Sequence, residues 1–346
     1  MRREIAEQAD AVAQTLEEVR RRAEQVRAAM AGRRRVLFVA RGSSDNAAVY
    51  GRYLVETRLG VPAALAAASV ATHYRARLDL TDTLVVSVSQ SGRTEEIVEV
   101  QRWASSLGAA TVAVSNDAHS PLATEADVPL TTRAGVERAV PATKSYTSQL
   151  AALAGLVATL DKSDTLWPLL DRVPAEVARL EAAELGVAGA VELLASSDEV
   201  LVTGRGLVYG TALELALKLE ETCLRPVRGL SYADLRHGPI AVVGPGVTAI
   251  VLAAQDGPMA APITELAGDL TDRGARVLAV GGDTALAAGS AYHLPGPDLP
   301  EPVAPIGLIV PAQLVVESLA RRLGLDPDAP RGLSKVTSTD PPAATG

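Results

Sequence analysis

The chain has 346 residues, 48% of them hydrophobic and 21% charged, a composition typical of a globular protein whose length favours two domains. Its net charge of −8 disfavours nucleic acid and anionic membranes as partners, because both bind basic surfaces. The single cysteine, the absence of an apolar core in the N-terminal MRREIAEQAD and the lack of an uninterrupted membrane-length apolar run predict a cytoplasmic protein.

The first predicted element is one long helix within residues 1–31. This segment contains no glycine or proline, and Gly32 follows it. Its apolar residues recur at steps of three, four or seven. Apolar strands follow at residues 36–40, 84–88 and 111–114, each succeeded by a helical pattern. Strands that alternate with helices in this way predict a parallel sheet with crossover helices.

The sequence then repeats itself at a nearly constant offset. VLFVARG, TLVVSVSQSG and TVAVSND in the first half resemble VLVTGRG, TAIVLAAQDG and RVLAVGGD in the second. We therefore expect an α/β fold with two similar three-layer αβα domains and parallel sheets. The expected division is an N-terminal helix at 1–31, a first domain at 32–160, a helical linker at 161–195, a second domain at 196–335 and a mobile tail at 336–346.

A loop rich in hydroxyl groups follows the second predicted strand. It reads SVSQSGRT and precedes a helix, so Ser89, Gln90, Ser91 and Thr94 lie at the edge of the sheet where ligands bind. The helix N-terminus adds free N–H groups, and this combination predicts a phosphate site. A serine-rich helix cap is the alternative. The second copy reads LAAQDGPM, without the hydroxyls, which predicts one phosphate site per chain.

A shorter polar loop, Arg41-Gly-Ser-Ser-Asp45, follows the first strand at the same edge and offers Ser43 and Ser44. Farther along, Glu214, Lys218 and Glu221 share one face of a predicted helix, a spacing that by itself favours a solvent-exposed, salt-bridged surface. His237 precedes a Gly-Pro pair and is therefore expected at an accessible helix end.

These strings together resemble a known family. ARGSSDN, SQSGRT, AVPATKSY, ALELALKLEET, DLRHGP and APRGLSKVT occur in the order and approximate spacing of tandem sugar isomerase (SIS) domain proteins, over nearly the whole chain. The resemblance is to the isomerase half of glucosamine-6-phosphate synthase, without its glutaminase domain, and to SIS-type glucosamine-6-phosphate deaminases. It implies a phosphorylated amino sugar as ligand and a homodimer, with no cofactor or metal.

The resemblance also implies roles for individual residues. Glu221 corresponds to the base that moves a proton between C1 and C2, His237 to a ring-opening histidine shared across the dimer interface, and Lys335 to a tail lysine that contacts the open-chain sugar. Lys218 and Glu214 correspond to charged neighbours of the base. The residues implied in binding phosphate or sugar are Ser43, Ser44, Ser89, Gln90, Ser91, Thr94, Val140 and Ala142.

Three functions remain open at this point. The first is an isomerase-deaminase that converts glucosamine 6-phosphate to fructose 6-phosphate and ammonia. The second is a lyase that acts on an N-acylated amino-sugar phosphate, suggested because Val227-Arg228-Gly229 replaces an acidic stretch of the family and Arg225 lies nearby. The third is a sugar-phosphate sensor, which would need the phosphate loop but no base.

Overall fold

The computed structural model describes residues 1–184 and 186–335, so the predicted mobile tail at 336–346 lies outside the described residues. Its strands are β1 Arg35–Val39, β2 Ala63–Leu65, β3 Thr83–Val88, β4 Ala110–Ser115, β5 Val128–Thr131, β6 Glu199–Gly204, β7 Val227–Ser231, β8 Val247–Ala253, β9 Arg276–Gly281 and β10 Tyr292–Leu294. Its α-helices are α1 Arg2–Ile5, α2 Gln8–Arg21, α3 Ala23–Met30, α4 Ser43–Leu54, α5 Ala68–Thr72, α6 Glu95–Ser106, α7 Pro121–Thr124, α8 Lys144–Leu160, α9 Leu166–Leu170, α10 Val173–Ala183, α11 Val187–Ala195, α12 Tyr209–Cys223, α13 Tyr232–Arg236, α14 Ala260–Asp272, α15 Thr284–Gly289 and α16 Ala304–Arg322.

The strands form two parallel sheets of five strands each. The first has the order β2-β1-β3-β4-β5, and the second, read from its other end, has the order β7-β6-β8-β9-β10. The two sheets therefore have the same connectivity, which confirms the predicted pair of similar αβα units with parallel sheets. The domain boundaries given above stay predictions.

The central strands form the core because their sequences are apolar on both faces. Every residue of β3, β4 and β8 is buried. Parallel sheets need such strands, because helices cover both of their faces. The edge strands β2 and β10 have three residues each and were not predicted, since so short a run carries no clear period.

The N-terminal region differs from the prediction of one long helix, which is wrong. Three helices, α1, α2 and α3, occupy it, with breaks after Ile5 and at Arg22. No glycine or proline marks either break, so the cause is tertiary. The buried Glu4 carboxylate binds the backbone N–H groups of Arg138 and Ala139, which ties α1 to a loop of the first domain.

Helices α9, α10 and α11 occupy the predicted linker, and α16 packs against α10, α11 and α12. By length and composition α16 could cross a membrane, but 89% of its apolar window is buried inside the protein. It is the central core helix of the second half. Pro311 lies within it.

The two halves meet where α4 of the first packs against α12 of the second. Gly210, in the first turn of α12, lies directly on the backbone of α4, and a Cβ at this position would overlap the carbonyl oxygen of Asn46. This close approach places the start of α4 beside the charged face of α12. The cavity that most of the predicted site residues line lies at this junction.

Candidate active site

The hydroxyl-rich loop connects β3 to α6 at the carboxyl edge of the first sheet. Within it the Ser89 hydroxyl accepts a bond from the N–H of Gly92 at 3.2 Å, and the Ser91 hydroxyl accepts one from Arg93 at 3.2 Å. Gly92 has a φ of +61°, and a side chain there would collide with Ser120. The loop is thus held in a tight curve that only glycine permits.

Thr94 is the N-cap residue of α6, but its side chain makes no capping bond to that helix. The alternative interpretation as a serine-rich cap therefore does not account for Thr94. Helix α4, which starts at Ser43 beside the same cavity, likewise has no side-chain cap. The positive ends of two twelve-residue helices thus face one cavity, an arrangement suited to a phosphate dianion.

The cavity has a volume of about 500 Å³ and brings most of the predicted residues together. Eleven of the thirteen residues with a role implied by the resemblance line it, namely Ser43, Ser44, Ser89, Gln90, Ser91, Thr94, Val140, Ala142, Lys218, Glu221 and Lys335. It also includes residues that sequence reasoning did not single out as ligands, namely Arg41, Gly42, Val88, Ile97, Ser145, Gln149, Leu333 and Ser334. The first half, helix α12 and the C-terminal segment therefore share one site.

Two of these additional residues fix the cavity wall. Arg41 forms a two-bond ion pair with Glu96, at 2.9 and 3.0 Å, which joins the loop after β1 to α6. Gln149 on α8 donates to the Ser44 hydroxyl at 3.0 Å, while its own buried carbonyl oxygen has no partner among the described atoms. No local sequence pattern predicts either contact, because the two partners of each contact lie in separate elements.

The charged face of α12 is buried, and its prediction from spacing as a solvent-exposed surface is wrong. The side chains of Glu214 and Lys218 are 0% and 1% exposed, and that of Glu221 is 25% exposed. Lys218 Nζ bonds to Glu221 Oε2 and lies 3.6 Å from Glu214 Oε1. Asn46 of α4 donates to Glu214 Oε2 at 2.9 Å. A polar chain thus runs from the core to the cavity.

The pKa values within this chain reflect its burial. Burial raises the pKa of Glu214 to about 7, although Lys218 and the hydrogen bond from Asn46 act against it. Burial alone would lower the pKa of Lys218, but the two flanking glutamates outweigh it and raise that pKa above its ordinary value. Lys218 therefore stays an ammonium that holds the Glu221 carboxylate at the cavity wall.

Lys335 reaches the cavity from the C-terminal segment, and its partner, Glu137, was not predicted. Lys335 Nζ donates to Glu137 Oε2 and to the carbonyl oxygen of Ala139, each at 2.7 Å. The N–H of Val140 donates to the carbonyl of Asp328 at 2.9 Å. Since that N–H is occupied, the backbone group of Val140 that is left for a sugar is its carbonyl.

His237 is the predicted site residue that the structure places neither in the cavity nor beside its charged side chains. It is exposed and ends α13, where its N–H bonds to the carbonyls of Ala233 and Asp234. The arginines that suggested the lyase also do not line the cavity. Arg225 donates to backbone carbonyls of residues 194–197, and Arg228 is exposed on β7.

The equivalent edge of the second sheet is occupied by a carboxylate. Gly257, the counterpart of Gly92, has a φ of +91°, and a Cβ there would overlap the Glu301 carboxylate. A Cβ at Gly206, the counterpart of Gly42, would lie 3.4 Å from the other oxygen of Glu301. Glu301 is 8% exposed, so the counterpart of the hydroxyl-rich loop encloses an acidic side chain instead of an open cavity.

Comparison with known proteins fits this duplicated geometry. The SIS domain family model matches residues 29–158 and again 193–320. The chain belongs to the SIS domain family. Both matches fall on the two sheets, so the internal repeat of the sequence is a repeat of this domain.

Two full-length structural neighbours and one curated relative illustrate the relationship. The chain is 35% identical, over 94% of its length, to glutamine–fructose-6-phosphate aminotransferase (isomerizing) of Symbiobacterium thermophilum, but it covers only 54% of that protein. A candidate phosphosugar isomerase from Silicibacter pomeroyi DSS-3 is 34% identical, with a TM-score of 0.86 over 95% of this chain and 99% of its own. Glucosamine-6-phosphate deaminase of Thermotoga maritima is 25% identical, with a TM-score of 0.72 over 94% and 99%. The chain thus spans about half the length of its curated relatives, and these comparisons support an enzyme of the sugar-phosphate isomerase type.

Proposed function

We propose that this SIS-domain protein converts glucosamine 6-phosphate to fructose 6-phosphate and ammonia. The observation that carries the proposal is the shared cavity, in which a phosphate loop, the Lys218-Glu221 pair and Lys335 come together. A sensor needs only the first of these. A carboxylate held by an ammonium at the wall of a phosphate site is suited to proton transfer at carbon.

In the proposed reaction the phosphate binds the loop from Ser89 to Thr94 and the N-termini of α4 and α6. Glu221 takes the proton from C2 of the open-chain aldose and returns it to C1, while the C2 nitrogen loses a proton and the C1 oxygen gains one. The C1 aldehyde thereby becomes an alcohol, and the C2 amine becomes an imine. Water then adds to this imine, and its hydrolysis gives the ketone of fructose 6-phosphate and releases ammonia. The proton removed and the proton returned pass through the same carboxylate, so the base is regenerated.

The remaining parts of the proposal follow from the family resemblance. His237 opens the sugar ring from a neighbouring subunit of a homodimer, and Lys335 contacts the open chain. We further propose a cytoplasmic location and no cofactor, metal, nucleic-acid or membrane partner. Substitution of the family's acidic stretch by Val227-Arg228-Gly229 carries less weight for an N-acylated substrate, because this segment is the edge strand β7 and does not line the cavity.

Parallel incubation with glucosamine 6-phosphate and with its N-acetyl form tests the proposal. We expect equimolar ammonia and fructose 6-phosphate from the first, and neither product from the second. Ammonia formation should vanish in Glu221→Gln and persist in Glu220→Gln, a matched change of the adjacent exposed residue. A water-loss product from the N-acetyl sugar without ammonia would support the lyase, and binding without turnover of either sugar would support the sensor.

A further inference from the structure

Glu137 is a fully buried carboxylate in the loop between β5 and α8. Its Oε1 accepts bonds from the N–H groups of Thr143 at 2.9 Å and Ser145 at 3.1 Å, and its Oε2 accepts from the Ser145 hydroxyl at 2.6 Å. These donors belong to the first turn of α8 and its cap. One oxygen of the carboxylate thus satisfies the free N–H groups of a helix N-terminus.

The other oxygen of Glu137 holds Lys335. The contact of 2.7 Å joins residues nearly two hundred positions apart, and the carbonyl of Ala139 accepts a second bond from the same ammonium. An ammonium has three N–H donors, so two are engaged by the loop and one is left for a ligand in the cavity. Although burial opposes it, the Lys335 charge and the surrounding donors hold the pKa of Glu137 below its ordinary value.

Lysine is rare in this chain, and most of its lysines pair with carboxylates. The sequence has only four lysines beside 29 arginines. Three of them pair with carboxylates: Lys144 with Glu7, Lys218 with Glu214 and Glu221, and Lys335 with Glu137. The fourth, Lys162, is exposed.

We propose that Glu137 is the positioning residue for Lys335, and that this carboxylate fixes the ammonium of the C-terminal segment at the wall of the phosphosugar cavity. The inference rests on the proposed function, in which Lys335 contacts the open-chain sugar. Without Glu137, no carboxylate holds the Lys335 ammonium at the cavity wall. The Leu333-Lys335 stretch then no longer completes the cavity wall.

Glu137→Gln separates this role from helix capping. The amide oxygen can still accept the N–H groups of Thr143 and Ser145, whereas an NH₂ group replaces the oxygen that faces Lys335. The matched control is Glu7→Gln. It breaks the Lys144 pair on the other side of the same helix start, where the side chain of Lys144 is 3% exposed.

The first measurement needs no substrate. Brief acetylation with acetic anhydride, followed by mass spectrometry, gives a rate for each lysine relative to Lys162. We expect Glu137→Gln to raise the relative rate of Lys335 about tenfold without changing that of Lys218, because the ion pair shields the amine in the wild type. Glu7→Gln should raise Lys144 and leave Lys335 unchanged. An unchanged Lys335 rate in folded Glu137→Gln overturns the proposal.

The second measurement compares the effect of Glu137→Gln on kcat with its effect on ligand binding. We expect Glu137→Gln to lower kcat about 10- to 100-fold, while affinity for inorganic phosphate, measured by calorimetry, stays normal because the phosphate loop is untouched. If the wild type turns over no sugar phosphate, the proposed function fails and the acetylation result alone decides the positioning role. If turnover is normal in Glu137→Gln, the function stands and the positioning role fails. Should Glu137→Gln not fold, Glu137→Asp, which retains the charge at shorter reach, is expected to raise the acetylation rate of Lys335 several-fold over the wild type, and an unchanged rate overturns the proposal.

Discussion

Glu221 is the side chain on which the proposed chemistry depends. It lies at the mouth of a buried polar chain, and Lys218, 1% exposed, keeps it in place. Desolvation of such a pair is costly unless close geometry and further hydrogen bonds compensate for it. A carboxylate on the same helix without a partner would either protonate or turn towards solvent.

Glu221→Gln retains the shape of this side chain and removes the proton acceptor. We expect kcat to fall about 10²- to 10⁴-fold, the usual range for a positioned general base, with near-normal phosphosugar binding. Exchange of the C2 hydrogen with deuterated water, followed by NMR, should be lost in parallel. Near-normal turnover and exchange would place the base elsewhere.

Glu214 gives a pH-dependent contribution to stability. Its pKa of about 7 in the folded protein lies above the ordinary glutamate value, so the folded state holds a proton that the unfolded state releases at lower pH. The unfolding free energy from this group therefore falls as pH rises from the unfolded pKa through about 7, by roughly 3 kcal/mol.

Denaturant titrations at pH 5 and pH 8 test this contribution. We expect Glu214→Gln to lose less stability between the two values than the wild type, since the amide cannot ionise. Glu17→Gln, on the exposed face of α2, is the control and should follow the wild type. Identical pH profiles for Glu214→Gln and the wild type would contradict the raised pKa.

At the scale of elements, the crossing of α4 and α12 joins the two half-sites. Gly210 allows this crossing because its Cα rests on the backbone of Asn46, the residue that also bonds to Glu214. A methyl group here has no flexible neighbour to displace. The helices would have to separate.

We expect Gly210→Ala to destabilise the protein by about 1–3 kcal/mol through overpacking and to lower kcat at least tenfold, because α12 carries the proposed base. Gly268→Ala is the matched control, since this glycine lies in α14, is exposed and has no other group within 4 Å of the added carbon. That change should stabilise the protein by about 0.5–1 kcal/mol, the gain in helix propensity, without altering kcat. Thermal melts of both variants measure the change in stability, and steady-state assays measure the change in kcat.

Elements with a strong local hydrophobic pattern could be predicted from the sequence. Features that depend on contacts with distant parts of the chain could not. Runs such as Leu84–Val88, in which Ser87 is the one polar residue, were recognised as strands, whereas β2 and β10 were too short. The burial of Glu214 and Lys218 could not be predicted, because a spacing of four residues is the same on a surface helix and in a core. The contact of Glu137 with Lys335 carries no local signal, since the two residues are nearly two hundred positions apart.

At the scale of the whole molecule, the exposed position of His237 outside the cavity fits the prediction that it serves a neighbouring subunit. Two inactive chains, Glu221→Gln and His237→Ala, test the shared site. After subunit exchange, half of the dimers are mixed, and one of the two sites in each holds both groups. We therefore expect activity to recover to about a quarter of the wild-type value.

Each variant incubated alone is the control and should stay inactive. Exchange itself can be followed with differently labelled chains. Complete exchange without recovered activity would show that His237 does not act across an interface.

The carboxylate of Glu301 at the edge of the second sheet has a consequence for how this chain can evolve. The two halves are duplicates in topology, yet one contributes the hydroxyl-rich loop to the cavity and the other contributes Lys218 and the proposed base, Glu221, on α12. Such a division of labour makes the copies no longer interchangeable. We therefore expect changes of ligand preference to arise in the loops of the first half, on α12 and in the C-terminal segment, which together line the cavity, rather than in the loop beside Glu301.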